Sequence, residues 1–358
     1  LVSVNEVGGS PNVVGISPHD FHRSVRTLAS NHPRTMTASS THDTKRGEDT
    51  RLRISMISHH LDAWKRAVRG WRSQNKDLRR RVAGSAAPDA NDEYLIYQTI
   101  LGVVGRQGRV DDALRSRLSA YLEKALREAK RHTDWSTPNE AYEAAAADFL
   151  SGVLDRLAAA KSEFAVSFRE FLETIRPGFE DAVLAQQVVR LVMPGVPDIY
   201  RGAEFLDLTL VDPDNRRPVD WDSRQAALER SGAWPKKSLD ALPIDERKAA
   251  VMQLILRMRR DDPELFVGGE YVPLTVSGAA ERLVAFARVR DERVIVAVAR
   301  IAPGALGEAL VQVPYELASG TYTDLVSGTE IATTDALLRL SSCLSSAPVA
   351  LLVRGRAT

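Results

Sequence analysis

The stretch TASSTHDTKRGED, residues 37–49, decides how the rest of the chain is read. A polar run stops at His42 and Asp43. Two cations, Lys45 and Arg46, follow, and Glu48 and Asp49 then open a helix, where carboxylates complement the helix dipole. Residues 34–41 read as a short strand. Residues 47–71 read as a helix whose apolar positions are Leu52, Ile54, Met56, Ile57, Leu61, Trp64 and Val68. A strand, then a loop carrying an imidazole and a carboxylate, then a helix is what a (β/α) barrel presents at its catalytic face. Functional residues there stand at the C-terminal ends of strands. The competing reading is that Asp43 and the neighbouring threonines only cap the following helix.

Upstream, residues 17–31 predict a helix with Ser17 as N-cap, Pro18 at its first position and Phe21, Val25 and Leu28 on one face. His32-Pro33 ends it. Downstream, residues 83–92 read as a turn or linker, and 93–105, 111–131 and 138–175 show helical spacing. Leu114, Leu118, Leu122 and Leu126 repeat every four residues. This predicts an all-helical insertion over 75–175. Residues 180–193 and 245–260 read as two more helices. Between them PGVPDIYRGAEF (194–205) has a short apolar core from Val196 to Tyr200, followed by a second polar cluster of Tyr200, Arg201 and Glu204. Two adjacent strand ends carrying such clusters favour a site over capping.

After Pro263 the pattern changes to short β-branched runs: YVPLTV, RLVAFARV, RVIVAVAR, ALVQVP and PVALLVR. These predict an antiparallel β-sandwich domain over 263–358. The 358 residues carry 44% hydrophobic and 27% charged side chains and a net charge of +1, an ordinary globular balance. Near-neutrality without a long basic run argues against a nucleic-acid partner. The basic stretch 65–81 reads as a solvated face or a contact surface for a partner enzyme. No apolar run approaches the roughly 18 residues of a membrane span. Cys343 is the sole cysteine, which fits a reducing, cytoplasmic compartment. The chain begins LVSVNEVGG, without an initiator methionine or a signal-like region, as expected of a piece of a longer chain.

STHDTKRGED (40–49), PGVPDIYRGAE (194–204) and DLTLVDPDNRRPVDW (207–221) together resemble the maltooligosyl trehalose synthases, members of the α-amylase superfamily, glycoside hydrolase family 13. LVSVNEVGG (1–9), NDEYLIYQTILGV (91–103) and REAKRHTDWSTPNEAYE (127–143) fit the same family, in its order. The resemblance implies the C-terminal strands and helices of a (β/α)8 TIM barrel over 1–74 and 176–262, beside the insertion and the β-sandwich. It also implies an isomerase on maltooligosaccharides, which rearranges a terminal α-1,4 linkage to an α,α-1,1 linkage by retaining transglucosylation.

Asp43 matches the family aspartate that grips the sugar at the cleavage subsite, and His42 the histidine beside it. Lys45 and Arg46 match a basic pair expected to contact the glucose that turns over. Multiple N–H donors suit sugar hydroxyls. Tyr200, Arg201 and Glu204, with Asp212, Asn215 and Arg217, are expected to complete the substrate pocket. No cofactor or metal is implied. DPDN (212–215) would need Gly and Glu at the sixth and twelfth places of a calcium loop, and Arg217 and Ser223 stand there.

The family's nucleophile and general acid motifs are absent, and neither Glu6 nor Glu48 and Asp49 has their flanking sequence. The expected unit is therefore a C-terminal fragment, inactive alone, needing the N-terminal remainder of its polypeptide and paired functionally with a maltooligosyl trehalose trehalohydrolase. Two rivals stand beside this reading. One is another superfamily hydrolase or 4-α-glucanotransferase, against which HDTKR argues. The other is a non-catalytic glucan-binding or assembly module. Trp135 is open to two roles, a sugar-stacking ring or packing at a helix junction.

Overall fold

The computed structural model describes residues 1–231, 239–318, 320–341, 343–345 and 347–355. Helix α1 (Pro18–Asn31) leads into strand β1 (Met36–Thr37), α2 (Glu48–Ser55) and α3 (Leu61–Gln74). A hairpin, β2 (Arg80–Val82) and β3 (Ser85–Ala87), precedes α4 (Ala90–Val103), α5 (Asp112–Ala129), α6 (Glu140–Ala158) and α7 (Glu163–Val192). Then come β4 (Val196–Pro197), α8 (Trp221–Ser231), α9 (Ile244–Asp261) and α10 (Pro263–Val267). The remaining strands are β5 (Glu270–Pro273), β6 (Thr275–Ser277), β7 (Leu283–Arg290), β8 (Arg293–Arg300), β9 (Leu310–Gln312), β10 (Thr321–Asp324), β11 (Glu330–Ala332), β12 (Leu337–Arg339) and β13 (Val349–Arg354).

The chain divides into two compact units, interleaved along the sequence. One comprises Leu1–Asn12, His42–Pro177 and Leu208–Arg217; the other comprises Val13–Thr41, Gly178–Asp207 and Pro218–Thr358. The break after Pro177 falls at the boundary expected near residue 176, whereas no break falls near the expected 74 or 262. Residues 42–177, read as part barrel and part insertion, lie in a single unit.

The first unit is built on aromatic packing. Trp64 and Trp71, seven residues apart and hence on one face of α3, meet edge to face with centroids 5.4 Å apart. Trp71 is fully buried, 5.1 Å from Phe168 and 5.5 Å from Tyr97, and its indole N–H donates to Ser167 Oγ at 2.9 Å. The leucine repeat of α5 is buried as expected. Helices α2 and α4 approach closely at Gly102, where a Cβ would stand 2.9 Å from both Ile54 Cδ1 and Thr50 Cγ2. That contact fixes the helix that follows the His-Asp loop.

Two expectations for this region need correction. The stretch 75–175 is not all helical, because β2 and β3 pair antiparallel across a turn in which Ala83 and Gly84 both have positive φ, 49° and 83°. The strands are three residues each and lack the usual β-branched signal, so the pattern hid them. The helix read as 138–175 is two helices, broken at 159–162. Ser162 restarts the second by accepting from the Ala165 N–H at 3.0 Å. That helix then runs through Pro177 to Val192, joining segments that the sequence separated.

In the second unit α1 begins as predicted, with Ser17 Oγ accepting from the Asp20 N–H at 3.1 Å. Strands β1 and β4 pair in parallel, Met36 opposite Val196 and Thr37 opposite Pro197, so the two predicted strand ends are neighbours. Gly195, at φ +108°, permits this, since a Cβ would lie 2.9 Å from the Thr35 carbonyl. Each strand is only two residues long.

The C-terminal strands form two antiparallel sheets, of order β11-β10-β13-β8-β7-β5 and β12-β9-β6. Ala285, Val296, Val298 and Leu352 from one sheet share a core with Val311 and Leu338 from the other. Helix α10 covers part of the outer face, which explains why β7 reads as continuously apolar. Fully buried Arg288 ties helix to strand by donating to the carbonyls of Leu265, Phe266 and Gly269. Burial pulls its guanidinium down to about 10.

Candidate active site

The HDTKR loop belongs to the first unit, and three distant stretches of sequence hold it there. Gly47, not Asp43, is the N-cap residue of α2, and no side chain caps that helix. The capping role weighed for Asp43 is therefore not the one it takes. Asp43 and His42 stand out toward solvent, with side chains 67% and 63% exposed, and His42 Nε2 lies 3.2 Å from Asp43 Oδ2. A carboxylate in contact with an imidazole and open to solvent can accept from sugar hydroxyls. Glu48 and Asp49 are fully buried in the first turn of α2.

Lys45 is fixed at both ends. Its backbone N–H donates to Glu6 Oε1 at 2.7 Å, and its ammonium lies 3.3 Å from Glu128 Oε2, with both side chains about two-fifths exposed. The other oxygen of Glu6 is 3.4 Å from Arg51 NH1. Arg46 departs from the expected pattern. It is buried, and its guanidinium donates to Val2 O at 3.0 Å and to the Tyr121 hydroxyl at 2.6 Å. The structure thus places Arg46 against protein, in a clamp that joins the loop to the N-terminal segment and α5.

The DPDN segment packs beside this loop. Gly47 N–H donates to Thr209 O at 2.9 Å, and Arg46 bridges Leu210 in antiparallel fashion. Asn215, buried, donates from Nδ2 to the His42 carbonyl at 3.0 Å. Asp212 is 40% exposed, with its carboxylate 2.6 Å from Arg216 Nε and its carbonyl accepting from Lys124 Nζ at 2.8 Å. Arg217 is half exposed and lies 2.8 Å from Asp214. The structure therefore brings His42, Asp43, Lys45, Arg46, Asp212, Asn215 and Arg217 into one unit.

Tyr200, Arg201 and Glu204 lie in the other unit and are described there. Tyr200 O accepts from the Ala203 N–H at 3.0 Å in a tight turn, and Arg201 is exposed. Glu204 Oε2 is 3.3 Å from Arg224 Nε. The Arg224 guanidinium also lies 4.7 Å from the Phe205 ring centroid and donates to Gly202 O at 2.6 Å.

Several groups that position the site were not singled out from sequence. Asp214 is buried and takes two bonds from Arg117, at 2.7 and 2.9 Å, plus the Leu210 N–H at 2.7 Å. Arg117 adds a bond to Leu208 O at 2.7 Å. Arg117, Tyr121, Lys124 and Glu128 form one polar stripe on α5 at spacings of four, three and four. That stripe was readable beside the leucine face, and it holds both Lys45 and the DPDN segment.

Among the described residues, Asp89, Asp92 and His132 bring potential metal-ligand atoms within reach of one another. Their charge is already met. Arg131 reaches Asp89 at 2.7 Å and Asp92 at 3.4 Å, and the Tyr142 hydroxyl donates to Asp92. Burial raises the Asp92 carboxyl above the ordinary aspartate range, and the nearby Asp89 charge adds to that. This cluster is a cross-link at the start of α4.

A His-Asp loop leaving the C-terminal end of a parallel strand, with an antiparallel two-sheet domain downstream, has the layout of a strand-end site in an enzyme of mixed α and β structure. No family model matches the chain. A Mycobacterium tuberculosis H37Rv protein provisionally named maltooligosyl trehalose synthase is 38% identical over 358 residues, all of this chain and 42% of that protein. The maltooligosyltrehalose synthase structure from Arthrobacter ramosus matches 99% of this chain and 43% of its own at 33% identity, with a TM-score of 0.81. A Sulfolobus tokodaii hypothetical maltooligosyl trehalose synthase matches 99% of this chain and 43% of its own at 29% identity, with a TM-score of 0.76. Along its whole length the chain is homologous to part of the maltooligosyl trehalose synthases. It spans about two fifths of the length of the relatives it matches. No described helix is long and apolar enough to cross a membrane.

Proposed function

We propose that this chain is the C-terminal part of a cytoplasmic maltooligosyl trehalose synthase and supplies Asp43 to its active site. The observation that carries the reading is the exposed Asp43–His42 pair on a loop clamped from three directions and not used for capping. It stands in a chain 38% identical from end to end to a relative named for that activity. Strands β1 and β4 are then neighbours in a (β/α)8 barrel, and the helical part of the first unit is an insertion in it.

In the intact polypeptide, an aspartate nucleophile and a glutamic acid from outside these residues carry out the covalent chemistry. The acid protonates the leaving oxygen as the nucleophile takes the anomeric carbon. The freed glucose turns over, and its anomeric hydroxyl attacks the glycosyl-enzyme with inversion, so configuration is retained overall. Asp43 accepts hydroxyl hydrogens of the sugar at the cleavage point, where bonds that strengthen in the oxocarbenium-like transition state accelerate the reaction. His42 supports the same sugar. Lys45, with its backbone fixed by Glu6, donates to the glucose that turns, while Asp212, Asn215 and Arg217 contact the sugar from the same unit; Tyr200, Arg201 and Glu204 are further substrate-binding residues of the other unit. Arg46 acts as a positioning residue because its guanidinium is already engaged. Water must be excluded, or the intermediate would be hydrolysed.

The isolated chain lacks both covalent partners and is inactive. A functional partner is a trehalohydrolase that consumes the non-reducing product. The test is incubation of the full-length polypeptide with maltopentaose. Loss of reducing ends without glucose release supports this reading; glucose and short maltodextrins as main products overturn it in favour of a hydrolase or glucanotransferase.

A further inference from the structure

Trp135 is left unexplained by the site described above. The residue is 54% exposed, although its ring rests on Arg127 where α5 runs into the loop to α6. A single exposed tryptophan is ordinary on a protein surface and argues nothing by itself. Trp221 and Tyr315 are also exposed, at 59% and 87%, but among the described residues no ring contact is seen for either. Trp135 differs because it is held: the Arg127 guanidinium carbon lies 4.9 Å from its ring centroid.

The support behind the ring is unusually complete. Arg127 donates to both oxygens of Glu143, each at 2.8 Å, and lies 2.8 Å from Glu123 Oε1. Thr133 donates its hydroxyl to Glu143 at 2.6 Å and accepts the Asn139 N–H at 2.9 Å, so the loop and the cation share one carboxylate. Asp134 closes the other side by accepting from the Ser136 N–H at 2.7 Å and the Thr137 N–H at 2.8 Å. The indole therefore rests on a cation whose own position is fixed, while the residue as a whole stays 54% exposed. A rigid aromatic plate with one free face loses little entropy on binding.

We propose that Trp135 is a stacking platform for a glucose ring of a maltooligosaccharide. The C–H faces of a pyranose are apolar and flat, they match the exposed indole face, and the sugar's hydroxyls lie at its rim. Glu123, 53% exposed and paired with Arg127, adds a carboxylate acceptor beside the cation that carries the ring. The assignment rests on the maltooligosaccharide chemistry proposed for the family site and names a further contact for that ligand. Glu128, the residue after Arg127, holds Lys45. The same turn of α5 therefore supports both the plate and the HDTKR loop.

The test is titration of the 358-residue chain with maltoheptaose by calorimetry, for wild type, Trp135→Ala and Trp135→Phe. The expected result is Kd raised about tenfold by Trp135→Ala, which equals about 1.4 kcal/mol, and an intermediate value for Trp135→Phe. Both variants should melt within a few degrees of wild type, because the ring is exposed. Equal affinity in wild type and Trp135→Ala, or no heat of binding in wild type at millimolar maltoheptaose, overturns the platform. Product analysis on the full-length polypeptide separates the two ideas. A trehalose-type product with no Trp135 effect removes only the platform, whereas its absence removes the activity reading as well.

Discussion

Replacing Arg117 by Met should loosen the HDTKR loop without touching it. The pair with Asp214 is nearly buried, with side chains 15% and 7% exposed. Methionine keeps most of the apolar stem of Arg117 and removes only the fork. Removing one partner of a buried ion pair costs about 3–5 kcal/mol, mostly from the charge left behind. Asp214 would still hold the Leu210 N–H at 2.7 Å and Arg217 at 2.8 Å, so the loss should be smaller, roughly 2–3 kcal/mol.

That loss is local. It should appear in hydrogen exchange at the amides that bind the DPDN segment to the loop, Leu210 to Asp214 and Gly47 to Thr209. Exchange at both should accelerate roughly 30- to 150-fold, while β7 and β8 amides in the other unit stay protected. Unchanged protection at Gly47 and Leu210 would refute the claim that the α5 stripe holds the loop.

Two other outcomes follow from the same geometry. Glu6→Ala removes the acceptor of the Lys45 N–H. Lys45 amide exchange should rise about tenfold, as expected for a lost hydrogen bond to a charged group, with Leu210 unaffected; equal acceleration at both amides would show that Glu6 acts on the whole segment. Glu143 concerns acid stability. Its bonds from Arg127, and then that from Thr133, hold its carboxyl below the ordinary glutamate range despite partial burial. A carboxyl lowered in the folded state stabilises above its unfolded value of about 4.3, and that contribution vanishes as pH falls through the lowered folded value. Glu143→Gln should therefore reduce the melting temperature at pH 7 and converge on wild type in strong acid. A constant difference across that range would contradict the assignment.

Much of the fold was legible because local chemistry and tertiary context agreed. Ser17-Pro18 opens α1 in the sequence and in the structure, and the five β-branched runs after Pro263 all became strands. The leucine repeat of α5 points inward. Legibility failed where elements were very short or where packing overrode a local signal. β2 and β3 hold three residues each and include Arg80, Arg81 and two alanines, so the turn at Ala83-Gly84 was visible but its strands were not. Pro177 ordinarily ends a helix, yet α7 continues past it, with Phe168 and Ile175 before it and Phe179 and Val183 after it all buried.

The candidate loop was found from its residue types. Its support was not, because Asp214, Arg117 and Tyr121 act through contacts spanning 75 residues (Tyr121 to Arg46) to 97 residues (Arg117 to Asp214), and spacing cannot reveal those. Arg46 shows the same limit from the other side. Its place in HDTKR marked it as a ligand contact, and only its burial against Tyr121 and Val2 shows that it braces the loop.

The most direct measurement is the linkage of the product formed from maltopentaose by the full-length polypeptide, followed by proton NMR of the anomeric signals for wild type and Asp43→Asn. The expected result is loss of the reducing-end signals and growth of an α,α-1,1 signal in wild type. Asp43→Asn, folded as judged by its melting curve, should lower turnover by orders of magnitude. Persistent reducing ends with released glucose, or near-normal turnover in Asp43→Asn, would contradict the assignment of this chain and of Asp43 to a trehalose-forming site.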